Sequence, residues 1–165
     1  LHESRTNLVF GFGNPAADIM LVGEAPGARE DERGEPFVGA SGRLLDGMLA
    51  RIGLERGDVY IANVLKCRPP KNRNPRPEEI ETCVPFLFEQ LQAVDPRVVG
   101  TLGNFATRVL LGTNKGITAL RGRAFEVRGY RVVPMYHPAA ALHNGSLRAE
   151  IELDFDRLDG FRRDR

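Results

Sequence analysis

No run in this 165-residue chain is apolar over a transmembrane length, and no signal-peptide pattern opens it. The expected setting is therefore the soluble cytoplasm, with no membrane partner. Cysteine is scarce. Cys67 and Cys83 are the only two, too few for a disulfide framework, and by themselves they read as unrelated reduced thiols. No internal repeat, low-complexity tract or long linker divides the sequence, so residues 1–165 are expected to form one domain. An excess of either charge is also missing: 23 Lys and Arg stand against 22 Asp and Glu, a net charge of +1. Bulk charge thus says nothing about nucleic acid. A phosphate fingerprint is absent too. Gly11-Phe12-Gly13-Asn14-Pro15-Ala16 imitates one but lies before its strand, and its proline blocks a helix start, which disfavours a nucleotide cofactor.

What is present is enough apolar sequence, 42%, to bury a core. Four short apolar or β-branched runs, Asp18–Val22, Val59–Val64, Val98–Leu102 and Arg131–Met135, read as strands. Helical spacing lies between them. Gly42–Ile52 sets Leu44, Leu45, Met48, Leu49 and Ile52 on one side, and Pro77–Val94 does the same with Ile80, Val84, Leu87, Phe88 and Leu91. Pro85 is expected to kink that second helix or split off its first turns. Gly103-Asn104 opens a third helix, which Gly112 ends, and Leu147–Phe161 reads as a terminal amphipathic helix. Alternation of this kind predicts an α/β fold with a mostly parallel sheet between helices. In such folds ligands bind at the carboxyl ends of the strands, where Gly23–Gly27, Lys66–Arg76 and His137–Leu142 fall.

Those three segments carry the chemistry. Gly23-Glu24-Ala25-Pro26-Gly27 leads from a buried strand into an acidic loop holding Glu30, and its glycines allow a ligand close to the backbone. Phe37, between Pro36 and the stretch ending at Gly39, is a stacking plate for a flat ligand. Asn63 ends the second strand and offers a donor beside an acceptor, enough to read the edge of a base. Asn72 taken alone is more often just a turn residue, and His137 taken alone is at least as readily a capping or core histidine. Basic residues are segregated: Lys66, Arg68, Lys71, Arg73 and Arg76 run without an acid among them, and Arg121, Arg123, Arg128 and Arg131 have only Glu126 against them. A near-neutral chain with charge so divided can still present one basic face to a polyanion.

Several of these segments recur together in one known order. They are Arg5-Thr6-Asn7-Leu8-Val9-Phe10-Gly11, Gly23–Gly27 with Glu30-Asp31, Pro36-Phe37-Val38-Gly39, Asn63-Val64-Leu65-Lys66-Cys67-Arg68-Pro69-Pro70 with Asn72-Arg73, Cys83, Leu102-Gly103, and His137-Pro138-Ala139. In that order and spacing, over nearly the whole chain, they resemble the family 4 uracil-DNA glycosylases, the iron–sulfur branch of that superfamily. The resemblance implies a three-layer α/β/α sandwich around a four-stranded, mostly parallel sheet. It also implies hydrolysis of the uracil–deoxyribose bond in single- and double-stranded DNA by a monomer, after the base is flipped out.

By the same resemblance His137 donates to uracil O2 as negative charge forms, Asn72 holds the attacking water, and Glu24 orients that water or His137. Phe37 stacks on uracil, Asn63 pairs with its O4 and N3–H, and the backbone at Gly23, Ala25 and Gly27 completes the pocket. Glu30 closes it near the position of the thymine methyl. Arg68, Lys71, Arg73, Arg121 and the helix start at Asn104 hold phosphates, while Pro138 and Leu142 enter the minor groove. A structural [4Fe–4S] cluster on four cysteines is also implied, with Cys67 and Cys83 matching the later two. Because the chain opens on Leu1, the expectation is that it was cut just past a Cys-x-x-Cys pair. A non-catalytic binder of uracil-containing DNA is the alternative, and the presence of His137 and Asn72 favours the enzyme. Residues 66–76 hold no histidine, so the covalent chemistry of a related branch is not expected.

Overall fold

Buried on both faces, four of the apolar runs form the parallel centre of a sheet. The computed structural model describes residues 1–164. Its strands are β1 (Phe12–Gly13), β2 (Ile19–Gly23), β3 (Tyr60–Asn63), β4 (Val98–Leu102), β5 (Phe125–Val127) and β6 (Tyr130–Met135). They stand in the order β1-β3-β2-β4-β6-β5. The inner four are mutually parallel, with Leu21 beside Ile61 and Gly100, and Gly100 beside Val133. The two outer strands run antiparallel to their neighbours.

The sheet therefore has six strands rather than the four expected. Both additions are edge strands of two and three residues, exposed or half-buried, so neither needs the apolar run by which the inner four are recognised. β5 and β6 form a hairpin through Arg128 and Gly129, both at positive φ (53° and 87°). That is the two-residue turn whose twist suits paired strands, carried here without the usual Asn-Gly signal.

Helices cover both faces. They are α1 (Ala28–Arg33), α2 (Ala40–Arg51), α3 (Pro77–Val94), α4 (Asn104–Leu111), α5 (Ile117–Leu120), α6 (Ala139–His143) and α7 (Arg148–Arg163). Period two decides the faces: Ile19 and Leu21 of β2 meet Leu45, Met48 and Leu49 of α2 and Phe155 and Leu158 of α7. Met20 and Val22 point the other way, toward Leu87 and Leu91 of α3 and Ala106 and Leu110 of α4. This is the three-layer α/β/α arrangement. α3 runs unbroken through Pro85, since Pro85 and Glu81, the residue whose carbonyl loses its partner, both lie on the exposed side. No helix among the described residues is long and apolar enough to cross a membrane.

The chain leaves β2 for β3 on one side, then crosses β2 to reach β4 on the other. Beyond the carboxyl ends of the strands at that switch point the loops diverge and leave a crevice.

Candidate active site

That crevice encloses about 630 Å³, bordered by the loops after β2, β3 and β6. Glu24, Ala25, Gly27, Glu30, Phe37, Asn63, Asn72 and His137 all line it, so the residues singled out at the three strand ends are brought to one place. Ser41 and His143 line it as well and carried no signal in the sequence.

Gly23 is the floor. A Cβ there would lie 2.5 Å from Asn63 Oδ1 and 2.8 Å from Phe37 Cζ, so only glycine lets the amide and the ring meet. Asn63 is 3% exposed. Its side-chain amide makes no hydrogen bond among the described residues, and none of their buried side-chain polar atoms lacks a partner. The amide therefore reaches the open crevice. There its donor and its acceptor are both free to meet a ligand.

Phe37 sits in the left-handed region, φ 53°, which a bulky residue adopts only when its surroundings force it. Its ring stacks on the imidazole of His137, centroids 5.4 Å apart and planes inclined by 28°. His137 Nδ1 accepts a hydrogen bond from the Ala139 amide at 3.0 Å. The neutral ring must then carry its proton on Nε2, which makes Nε2 a donor with no acceptor among the described residues. Burial pushes the His137 pKa down to about 4, against the opposing pull of the Glu30 charge, so the ring is neutral at ordinary pH.

The neighbouring acids differ. Glu30 is a clamp: its carboxylate accepts the backbone N–H groups of Gly27 (3.0 Å), Val38 (3.1 Å) and Gly39 (3.2 Å). It ties the loop after β2 to the loop bearing Phe37. Glu24 makes no such bonds, and burial raises its pKa. Its position is fixed through the backbone, because the Leu65 amide donates to the Glu24 carbonyl and extends the β2–β3 ladder past the strand ends.

Asn72 and Lys71 both have left-handed backbones (φ 56° and 54°), and Asn72 Oδ1 accepts from Arg68 Nε at 2.7 Å. Several residues expected on phosphates are likewise engaged within the protein. Arg73 forms a two-pronged pair with Glu79 (2.8 and 2.7 Å), which holds the Glu79 carboxyl down to about 2. Arg121 pairs with Asp154 and Glu150 and lies over the Tyr136 ring. Asn104 accepts the Ile117 amide at 2.7 Å and so caps α5. Lys71 is exposed. Pro138 precedes the short α6, from which Leu142 projects 52% exposed.

Two supporting residues escaped sequence reasoning. Asp154, 1% exposed, accepts the Tyr136 amide at 3.0 Å and Arg121, anchoring the chain one residue before His137. Burial raises its pKa while those two partners oppose the rise. Its signal was a lone acid within the stripe Ile151, Phe155 and Leu158. Lys66, 2% exposed, donates from Nζ to the Asn63 carbonyl at 2.8 Å and to Gln90 Oε1. Burial brings its pKa down to about 8.

Cys67 and Cys83 are both free thiols and face a second, largely apolar chamber of about 600 Å³ with Leu1, His2, Leu8, Phe10 and Phe86. Arg5 donates to Cys67 Sγ at 3.3 Å. Two thiols on one apolar wall fit as part of a thiolate ligand set. Among the described residues, however, no group of three or more His, Cys, Asp and Glu could hold a metal.

The family model of the uracil DNA glycosylase superfamily matches residues 10–156. A type-4 uracil-DNA glycosylase of Archaeoglobus fulgidus is 49% identical, covering 96% of this chain and 83% of that protein. Type-4 enzymes of Sulfurisphaera tokodaii (48% identical, 96% and 76%) and Thermotoga maritima (43% identical, 98% and 86%) are similarly related. A solution NMR structure of a Methanosarcina acetivorans protein described as a uracil DNA glycosylase shares the fold, with TM-score 0.53 at 12% identity over 93% of this chain and 98% of that one. A match over most of the length, with relatives this similar, places the chain in the uracil DNA glycosylase superfamily, among its type-4 members.

Proposed function

We propose that this protein excises uracil from DNA, hydrolysing the bond between base and deoxyribose and leaving an abasic site. One observation carries the reading: the unpaired Asn63 amide, the Nε2–H of a neutral His137 and the ring of Phe37 converge on one crevice. They supply an edge reader, an anion-stabilising donor and a stacking face for a planar base.

The base must leave the stack to enter. Phe37 covers its face, and Asn63 donates to O4 while accepting from N3–H. Cytosine presents the reverse pattern and is rejected. As the C1′–N1 bond breaks, the electron pair moves onto the pyrimidine and charge grows on O2, where His137 Nε2–H donates. Water held at Asn72 adds to C1′, with Glu24 close enough in the crevice to orient it or to balance the cationic sugar. The water's proton passes to solvent or to the departing uracil anion. Leu142, with Pro138 fixing its helix, fills the gap left in the duplex, and Lys71, Arg68 and Arg73 lie along the phosphates. The same reading takes the protein as a monomer of the cytoplasm acting on single- and double-stranded DNA.

Cys67 and Cys83 would supply two of the four thiolates of a [4Fe–4S] cluster. Bound there, the cluster is structural: it pins the basic loop between the two cysteines, and no chemical step passes through it.

The test is direct. The protein is incubated with an oligonucleotide carrying one uracil, then alkali is added. Strand scission at the uracil and release of free uracil support the reading. Tight binding without scission would leave only a binder, and neither would end it.

A further inference from the structure

Phe37 is the one aromatic side chain offered to the base, yet its backbone conformation is one that a phenylalanine resists. Something outside the crevice must hold it. Residues 36 and 37 turn their carbonyls away from the crevice, and both are taken by one side chain. Arg56, in the short 3-10 turn Arg56–Asp58 before β3, donates from Nη1 to the Phe37 carbonyl at 2.7 Å and from Nη2 to the Pro36 carbonyl. The guanidinium is oriented in turn by Asp46 of α2 at 3.2 Å and by the Phe12 ring of β1, 5.6 Å from its centroid. Gly42 completes the mould: a Cβ there would lie 1.9 Å from the Phe37 oxygen, so the first turn of α2 presses directly on this peptide.

We infer that Arg56 is a positioning residue for base recognition, holding the Pro36–Phe37 corner so that the Phe37 ring keeps its place beside His137, ready to stack on the base. The inference rests on the uracil reading above. The planar fork of arginine matters because two carbonyls diverge from one corner, and five fixed N–H donors can meet both and a carboxylate at once. Lysine meets one carbonyl at a time.

Arg56 acts through Phe37, so the test is a coupling measurement with uracil itself as probe. In Arg56→Ala, inhibition by free uracil and the single-turnover rate on a uracil oligonucleotide each weaken roughly tenfold, near the low end of what one aromatic platform contributes per base. Affinity for an abasic oligonucleotide, which offers no base to stack, stays within about twofold. Arg56→Lys recovers part of the loss. In a Phe37→Ala background, Arg56→Ala removes nothing further. Unchanged uracil inhibition overturns the inference, as does an equal loss with and without the Phe37 ring. Should Arg56→Ala not fold, Arg56→Lys carries the same comparison. If the wild-type protein releases no uracil, the activity reading fails. If it does and the variants match it, only the role of Arg56 fails.

Discussion

His137 allows the sharpest prediction, because its protonation and its tautomer are both fixed by neighbours. Nδ1 is occupied by the Ala139 amide at 3.0 Å, and burial holds the pKa near 4. An exposed histidine would titrate near 6.5 and impose an inflection there on the rate. The prediction for the wild-type single-turnover rate is a profile with no His137 inflection at 6.5, the acidic limb moving to about pH 4. On the proposed reading His137→Ala removes the donor aimed at O2 of the departing base, and the rate falls about 100- to 1,000-fold, or about 3–4 kcal/mol in the barrier. Affinity for uncleaved DNA stays largely intact. An inflection near 6.5 in the wild type that disappears in His137→Ala would refute the neutral-donor argument, and an unchanged rate would remove His137 from the chemistry.

The same shift acts on stability with a definite sign. The folded pKa lies below the unfolded one, so the unfolded chain binds the proton more readily between about 4 and 6.5. Stability is fully present above 6.5 and is lost as pH falls through that window. At about 1.4 kcal/mol for each pH unit, the loss is at most about 3.5 kcal/mol. Denaturant titrations at pH 7 and pH 4.5 should differ less in His137→Gln than in the wild type.

Gly23→Ala should fold yet lose uracil binding, because its Cβ falls 2.5 Å from Asn63 Oδ1 and 2.8 Å from the Phe37 ring; measurable uracil inhibition would contradict this. Glu30→Gln exchanges a charged acceptor of three amides for a neutral one, one of whose atoms then faces N–H groups as a second donor. About 2–3 kcal/mol follows, lowering Tm by about 5–10 °C for a chain of this length, and an unshifted melt would sink the clamp. Glu79→Gln releases Arg73 from its pair, so DNA binding should tighten and the slope of log K against log salt should steepen by about 0.7–0.9. An unaltered slope would show that Arg73 does not reach a phosphate.

The inner strands and the helices α2, α3, α4 and α7 were legible because burial imposes a period on sequence, of two for β2 and of 3.6 for α2. Parts of the fold that bury little left no such mark. β1 is the two residues Phe12 and Gly13, and β5 closes on Arg128-Gly129 rather than a turn dipeptide of known preference. α1 was hidden by its composition: Gly-x-x-Pro-Gly and a run of acids read as a loop. In the structure Gly27 caps the helix and Glu30 returns to the Gly27 amide, so the acids belong to its first turn.

The candidate site divides along a similar line. Side chains lining the crevice are chemically distinctive and fall at strand ends, so Asn63 could be read from position and type, while His137 was singled out as functional only through the family resemblance. Their supports could not be read. Asp154 and Arg56 lie 18 and 19 residues from the backbone they hold, at 136 and 37, and Lys66, though only three residues beyond Asn63, takes its carbonyl; no side-chain pattern records such bonds to backbone. The pairing of the basic residues was hidden for a related reason. Sequence shows a cationic run, but only folding brings Glu79 to Arg73 and Asp154 to Arg121.

The way charge is handled around the crevice bears on the mechanism. Glu30 is answered by three amides and Arg73 by Glu79, while Arg68 is drawn to Asn72. The groups left open are neutral, namely the Asn63 amide and the imidazole Nε2–H, apart from the Glu24 carboxyl, whose pKa burial raises. Uracil enters uncharged and leaves as an anion. A cationic histidine would attract the polyanionic strand in every state and accelerate nothing by that attraction. A neutral donor with a pKa near 4 interacts weakly with the neutral base and strongly once charge reaches O2. Only interactions that strengthen on the way to the transition state lower the barrier. On the proposed mechanism, the burial that depresses the His137 pKa is therefore what makes its hydrogen bond selective for the departing base.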